Sequence, residues 1–437
     1  MKQLLPTGDS LANKISFYHL LLLMASLPFN FFFSHLILIS FGVHTIIQFN
    51  KQNLKPVFTW RTLLLQSVFW ITVISTIYTV NKPEAYNEWG KQLTILLFPL
   101  FFCFTGLDIK KYRPALLLGF SLVCTATITY LFYDALHAIR YYKMPLSALF
   151  SAAFTNHNFA EPIDIHATFF SMQLVIALVY LTSVVIKERN NYYRFLYAVC
   201  ILILSAGLFQ LCAKSVIFCL FVIVSVVLPW FLLTGSRRWK FMLFAVLASI
   251  VLVGGIFQIK AFRERYVTDL QVDLSAPKTD ETTDPRLARW ETASGLIKQS
   301  PLIGHGAGSE IGLLHQQFFI KKYYSSFLNN LNVHNQYLSF MLKSGLIGLV
   351  IYLATLAFGF RQALKSKNLL FFSFMLLLAF VSFSENFLDV DKGIFFYAFF
   401  FSFFVFSNDE EKKNSKRFIA INNEPLEHNY LEEPATI

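Results

Sequence analysis

The sequence predicts an all-α polytopic membrane protein, with about 12 transmembrane helices and one long, partly helical loop held outside the bilayer. Three observations predict it. The chain is 55% apolar, 17% aromatic and 14% charged, where a soluble domain carries roughly 25% charged residues; such surface cannot be hidden in one water-soluble core. Apolar runs recur from residue 15 to residue 406. A single gap among them is long enough to hold a small folded unit, which favours one membrane domain over the two or three soluble domains that length alone suggests.

A bilayer core about 30 Å thick is crossed by about 20 apolar residues in helical form. Stretches near that length lie at 12–28, 31–49, 62–80, 92–107, 114–134, 165–186, 193–211, 215–234, 239–258, 334–360, 368–384 and 391–407, the first and fourth being touched by Pro28 and Pro99. Residues 1–258 therefore hold transmembrane helices 1–9, 259–333 the large outer loop with an amphipathic helix, 334–407 helices 10–12, and 408–437 a tail. The first run follows a polar leader of about 14 residues and lacks a small-x-small cleavage site, so a cleaved signal peptide is not expected. Cys103, Cys124, Cys200, Cys212 and Cys219 lie within or at the edges of apolar runs. They imply neither a disulfide framework nor a metal site.

Short cytoplasmic loops hold an excess of Lys and Arg. With the N-terminus inside, the inner segments collect Lys51, Lys55, Arg61, Lys110, Lys111, Arg113, Lys187, Arg189, Arg194, Arg237, Arg238, Lys240, Arg361, Lys365 and Lys367. The short outer loops carry Lys82, Lys91, Arg140, Lys143, Lys214 and Lys392. Both termini are thus expected in the cytoplasm, in keeping with the tail's Lys412, Lys413, Lys416 and Arg417. The +11 net charge is accounted for by basic loops facing anionic membrane lipid, with no nucleic acid needed. Of the two long outer segments, 135–164 and 259–333, the second holds nine Lys and Arg against eight Asp and Glu. It offers no general field for an anion, which must instead be held by particular residues.

Asp284-Pro285 reads as a helix start, with Asp as N-cap and Pro at the first helical position, and the run continues through Gln299. At about 100° per residue, Trp290, Ala293 and Ile297 share a face, with Arg286 at its middle and Arg289 at its edge. A guanidinium on an apolar face needs a partner or an anion, and its planar fork suits phosphate oxygens. The plainer alternative is snorkelling to solvent or pairing with Asp284. In Pro301-Leu302-Ile303-Gly304-His305-Gly306-Ala307-Gly308, the glycines allow tight turns or close backbone approach to a ligand. A structural turn is the simpler explanation for Gly304 and Gly306, and with no strand before them a dinucleotide site is rejected.

His334-Asn335 lies where the loop re-enters the membrane. An imidazole near a helix N-terminus is favoured in its neutral form, which suits a general base; the alternative is an interfacial histidine bonded to headgroups. His305 and His315 lack that context. Lys214, in the break Ala213-Lys214-Ser215, is the only charge between two apolar runs, placed for function or for snorkelling to lipid phosphate. Lys343 falls about 14 Å along the helix from His334, on the opposite face, and calls for a carboxylate from another helix. Glu385, Asp389 and Asp391 form a solvated acidic turn, a cation site, or an orienting partner for a base.

Arg286-x-x-x-Trp290, Pro301-Leu302-x-Gly304-x-Gly306-x-Gly308, His334-Asn335-x-Tyr337 and Lys343-x-Gly345-x-x-Gly348 together resemble the O-antigen ligase and O-antigen polymerase superfamily. The motifs cover about residues 284–350, and the helix number and loop position extend the resemblance over most of the chain. It implies a glycosyltransferase of the C type (GT-C), needing no nucleotide, metal or other cofactor. The implied donor is a glycan on undecaprenyl diphosphate, and the implied acceptor is a hydroxyl of the lipid A core for a ligase, or another lipid-linked repeat for a polymerase, at the periplasmic face of the bacterial inner membrane. His334 matches the family's base or acceptor-orienting histidine, and Arg286 an arginine that contacts the diphosphate. Lys214 stands where many members have Arg, keeping the charge without the bidentate fork. Arg289, Gly304, Gly306 and Asn335 complete the expected substrate-binding set. The modest charge of 135–164, with Arg140 and Lys143, favours ligase over polymerase, which often has two arginine-rich outer loops. A transporter of lipid-linked sugars is the alternative from another class, although no internal repeat is evident.

Overall fold

The computed structural model describes residues 6, 8–49, 56–256, 258, 263–268, 271 and 285–408. Among them every regular element is helical and there is no strand. The longer helices are α1 (Leu11–Ser26), α2 (Phe31–Ile47), α3 (Trp60–Ser75), α4 (Lys82–Phe104), α5 (Ile109–Tyr141), α6 (Ala167–Val185), α7 (Asn191–Leu211), α8 (Lys214–Leu232), α9 (Gly235–Ile256), α10 (Arg286–Ile297), α11 (Glu310–Ile320), α12 (Gln336–Lys365), α13 (Leu369–Val381) and α14 (Asp391–Ser407). Each apolar stretch named from the sequence coincides with one of them. Five of the described helices, α5, α6, α7, α8 and α12, are long and apolar enough to cross a bilayer, while α2 and α13 are shorter apolar helices. The chain is an all-α membrane protein.

Helix ends depart from the apolar windows where local chemistry extends them. Asn81 accepts a hydrogen bond from Glu84 N and Pro83 sits in the first turn, so α4 begins at Lys82, ahead of its apolar part, and carries Pro99 inside it. At its C-terminal end α5 runs on to Tyr141, so the expected loop 135–164 begins as helix. Lys51, Lys55, Asp284, most of 259–284 and the basic tail lie outside the described residues.

The bundle is centred on α14, whose residues from Lys392 to Ser407 are all buried; a helix apolar on every side belongs in an interior. Its phenylalanines meet rings of several helices. Phe395 and Phe399 stand edge-on to Phe98 of α4 at 5.0 and 5.3 Å, Phe400 to Phe120 of α5 at 5.2 Å, and Phe404 stacks on Phe371 of α13 at 5.4 Å. Such pairs contribute roughly 0.5–1.5 kcal/mol each beyond the area they bury. Lys392, counted from the sequence among the outer-loop charges, is buried and donates to the carbonyls of Leu27 and Phe29. It thereby places a cation at the C-terminal end of α1, where the dipole favours one.

The long segment before α12 carries a small core of its own: Ala293, Leu296 and Ile297 of α10, Leu314 and Phe318 of α11, and Val333 close on Leu342 of α12. What joins loop to bundle is a break in α12. Gly345 sits at φ 61°, ψ −160° inside that helix, and the backbone groups freed there are taken by the glycine turn. His305 N donates to Leu342 O at 2.9 Å, Gly306 N to Lys343 O at 2.8 Å, and Leu346 N to Pro301 O at 2.9 Å. Irregular backbone within a membrane helix survives only where protein satisfies it in this way. Tyr78 and Thr79 hold the other side of the turn, donating to the carbonyls of Ile303 and Ala307.

Gly306 has φ +94°, and a Cβ there would lie 2.4–2.5 Å from Thr79 Cβ and Cα. Gly306→Ala is therefore expected to destabilise the protein by roughly 1–3 kcal/mol from backbone strain alone, with the overlap adding to it. Thermal unfolding of the purified protein in detergent measures this, and a melting temperature equal to wild type would refute the docked turn.

Candidate active site

His334 is held by its surroundings rather than by helical regularity. It lies ahead of α12 with φ +49°, a left-handed conformation that a non-glycine residue adopts only when its neighbours impose it. Asn332 Oδ1 accepts from His334 N at 3.0 Å. Trp290 Nε1 donates to Val333 O at 3.0 Å, Arg289 to Asn332 O at 3.5 Å, and Val333 N donates to Glu310 at 3.1 Å. On the other flank Asn335 N donates to Asn386 Oδ1 at 2.7 Å, and Gln336 N to Ser382 O at 2.8 Å. The imidazole is thus delivered to one place by α10, α11 and the segment after α13.

Glu385, from that last segment, meets His334 Nδ1 through Oε2 at 3.2 Å. Burial pushes the Glu385 carboxyl up, but the hydrogen bond from His334, helped by the positive charge of Arg286, outweighs it and holds the group at about 2. An ionised acceptor on Nδ1 directs the other nitrogen, Nε2, outward as a proton acceptor. His334 keeps 24% of its side chain exposed against 13% for Glu385, so the ring that can reach a ligand is the histidine. Ser384 gathers the remaining pieces: its carbonyl accepts from Arg286 at 3.3 Å, and its hydroxyl donates to Ser215 Oγ at 2.8 Å. Ser215 follows Lys214, which opens α8 after Cys212 turns the chain at φ 50°. Arg286, His334 and the Ser215 hydroxyl next to Lys214 are therefore brought together around Ser384 and Glu385.

The other expected site residues take different places. The α10 helix starts at Arg286 with Pro285 as its cap and ends at Ile297, one residue later and two earlier than the sequence reading. Its buried stripe is Ala288, Arg289, Thr292, Ala293, Leu296 and Ile297, so the buried guanidinium is Arg289, expected at the edge, and Arg286 is the half-buried one at the helix start. The Gly304 amide is taken by Ser300 O at 3.0 Å and that of Gly306 by Lys343 O; both serve the docked turn. Asn335 is the N-cap of α12, with its side chain accepting from Tyr337 N and Leu338 N. Arg289, Gly304, Gly306 and Asn335 build the support beneath His334. His305 bonds Leu296 O at 3.0 Å and His315 stacks on Phe327 at 3.9 Å.

Lys343 finds its carboxylates: Nζ lies 2.6 Å from Asp389 Oδ1 and 3.4 Å from Glu88 Oε1. Asn386 Nδ2 donates to both Glu310 at 2.9 Å and Asp389 at 3.1 Å, and Ser339 hydrogen-bonds the same two acids. Burial, then the charge of Asp389, pushes the Glu310 carboxyl up. Because Asn386 also receives Asn335 N, this buried network is the footing of the His334 loop.

Two residues outside the expected site set stand beside it: Glu385, weighed from the sequence within an acidic cluster as a solvated turn, a cation site or an orienting partner for a base, and His166, which the sequence reading did not single out. The signal for His166 was available, since it precedes a membrane helix much as His334 does. The family model for O-antigen ligase matches residues 199–353, a span that takes in Lys214, Arg286 and His334 and stops short of Glu385. An uncharacterized protein of Haemophilus influenzae is 36% identical over 87 residues, which is 19% of this chain and 22% of that protein. The chain thus spans about a fifth of the curated relative it matches. Over residues 199–353 the chain carries the O-antigen ligase domain, and that match supports its place in the O-antigen ligase superfamily.

Proposed function

We propose that the chain is a membrane glycosyltransferase of the O-antigen ligase type, with GT-C architecture and about 12 transmembrane spans, that moves a polysaccharide from undecaprenyl diphosphate to a hydroxyl of the lipid A core. The reaction takes place at the periplasmic face of the bacterial inner membrane, with both termini in the cytoplasm. The observation that carries the reading is the His334–Glu385 pair set beside Arg286 and the Lys214–Ser215 turn.

In the displacement, the acceptor oxygen attacks the anomeric carbon as the bond from that carbon to the diphosphate oxygen breaks. The hydroxyl proton passes to His334 Nε2, and Glu385 stabilises the imidazolium that forms. The bonding electron pair leaves with the diphosphate, whose growing charge is met by Arg286 and Lys214. Direct attack inverts the anomeric centre. Removing one such charge-stabilising donor typically costs about 10²- to 10³-fold in rate, the loss expected of Arg286→Ala.

The test is a deletion strain complemented with His334→Ala or Arg286→Ala and examined for polysaccharide attached to lipid A. Lipid-linked polymer that accumulates unattached supports a ligase; normal attachment with either variant sinks the site assignment. A polymerase shares this chemistry with a second lipid-linked repeat as acceptor, and attached single repeat units would identify it. For a transporter of lipid-linked sugars the supporting result would be uptake of substrate with no covalent product; Lys343, the ionisable group within a membrane helix that keeps this reading open, is paired with Asp389 and Glu88.

A further inference from the structure

Two histidines outside the matched segment and outside the chemistry above, His157 and His166, border the same ground. After α5 the chain crosses the outer end of the bundle in short turns, Leu146–Phe150, Ala152–Phe154, His157–Ala160 and Glu161–Ile163, before entering α6. These turns are fastened to the end of α7. Gln210 Nε2 donates to the carbonyls of Leu149 and Phe154, each at 2.6 Å, and Asn156 N donates to Gln210 O at 3.0 Å. Gln210 leads into Cys212 and Lys214, so the crossing segment is tied to the turn whose Ser215 meets Ser384.

At the end of the crossing the two imidazoles meet, ring centroids 4.1 Å apart and 60° inclined. His166 Nδ1 accepts from Thr168 N at 3.3 Å and His157 Nδ1 from Ala167 N at 3.4 Å. Both nitrogens therefore act as acceptors at the start of α6. A neutral imidazole that accepts at Nδ1 carries its proton on Nε2 and is a donor there. Burial, reinforced by His157, His334 and Arg286 and opposed by Glu385, lowers the His166 value to about 4, which keeps the ring neutral. Capping alone does not explain the residue type, because Ser, Thr, Asp and Asn are the side chains that cap a helix best. What histidine adds is the second nitrogen, and the ring stands against His157, whose neighbour Asn156 is bonded to Gln210 O, four residues before Lys214 and five before the Ser215 that meets Ser384.

We infer that His166, braced by His157, donates its Nε2–H to a phosphate oxygen of the diphosphate, as an uncharged donor beside Arg286 and Lys214. This rests on the glycosyl transfer proposed above and assigns a third contact to its leaving group. Such a donor stabilises negative charge without bringing a further cation into a half-buried site.

The test uses the full-length protein in nanodiscs titrated with inorganic pyrophosphate by calorimetry, alongside thermal melting. His166→Asp keeps a strong cap for α6 but puts an anion where the donor stood. It is expected to melt with wild type and to bind pyrophosphate at least about tenfold more weakly, the effect of losing a hydrogen bond to a charged group. His166→Ala is expected to lose similar affinity while melting lower. Wild-type affinity in the Asp variant, or affinity that only follows melting temperature across the two variants, overturns this inference alone. If wild type binds no pyrophosphate, the diphosphate reading itself falls and takes this inference with it.

Discussion

Replacing His334 with alanine is expected to reduce glycan transfer by about 10²- to 10⁴-fold, the range ascribed to a positioned general base, with the protein still folded in the membrane. The reason for expecting both is geometric. The loop around His334 is held by its backbone, through Asn332, Trp290 and Asn386, so truncating the ring leaves those bonds in place. Glu385→Gln is the more discriminating variant. It preserves shape but removes the ionised acceptor on Nδ1, and an amide that presents its NH₂ to that nitrogen reverses the tautomer and takes the proton-accepting role from Nε2. A loss comparable to that of His334→Ala is expected. Transfer assayed in membranes at matched protein abundance decides it, and a Glu385→Gln protein of wild-type activity would remove the dyad from the mechanism.

The same pair has a consequence for stability against pH. The Glu385 value is held at about 2, below its ordinary 4.5, so its contribution is fully present above pH 4.5 and is lost as pH falls toward 2. A wild-type melting temperature that declines in that window, with the decline reduced in Glu385→Gln, is the expected pattern.

The largest effect on stability is expected from Lys343→Met. Lys343 is buried with Asp389 and Glu88 around it and Glu310 joined to Asp389 through Asn386 and Ser339. Methionine fills much of the space but leaves three carboxyl groups without their cation, and breaking a buried pair from one side costs about 3–5 kcal/mol. Lys343→Met combined with Asp389→Asn is expected to recover part of the loss, because the second change removes the charge that the first left uncompensated. Melting of the single and double variants in detergent measures the coupling. A single variant that melts with wild type would show that the network contributes nothing. Transfer is expected to fall with stability here, since Asn386 links these acids to the backbone beside His334.

The membrane helices were legible in the sequence because apolar length is counted along the chain and needs no partner. The ends of α4 and α5 were less so, since Glu84, Glu88 and the outer residues to Tyr141 continue helices beyond their apolar parts. Lys214 and His334 drew attention in the sequence for a related reason, as ionisable groups at polar breaks beside apolar runs, where a charge has few uses, and Arg286 as a guanidinium on the apolar face of an amphipathic helix. The glycine spacing announced a turn, but only Gly345, opening α12 to receive that turn, explains why the glycines are needed. Which arginine of α10 faces inward was a matter of register, decided by the docking of α10 against the 332–333 backbone. Glu385 and His334 are separated by 51 residues and Lys343 and Glu88 by 255. No periodicity relates positions that far apart, and the hydrogen bond and ion pair between them exist only once the helices that carry them have packed. The sequence by itself determined a helical membrane bundle through local apolarity, and marked the isolated charges at its helix ends. Tertiary packing alone decided that Glu385 orients His334 and that Lys343 anchors the loop beneath it, because a buried charge takes its partner from whatever the fold brings within hydrogen-bonding distance.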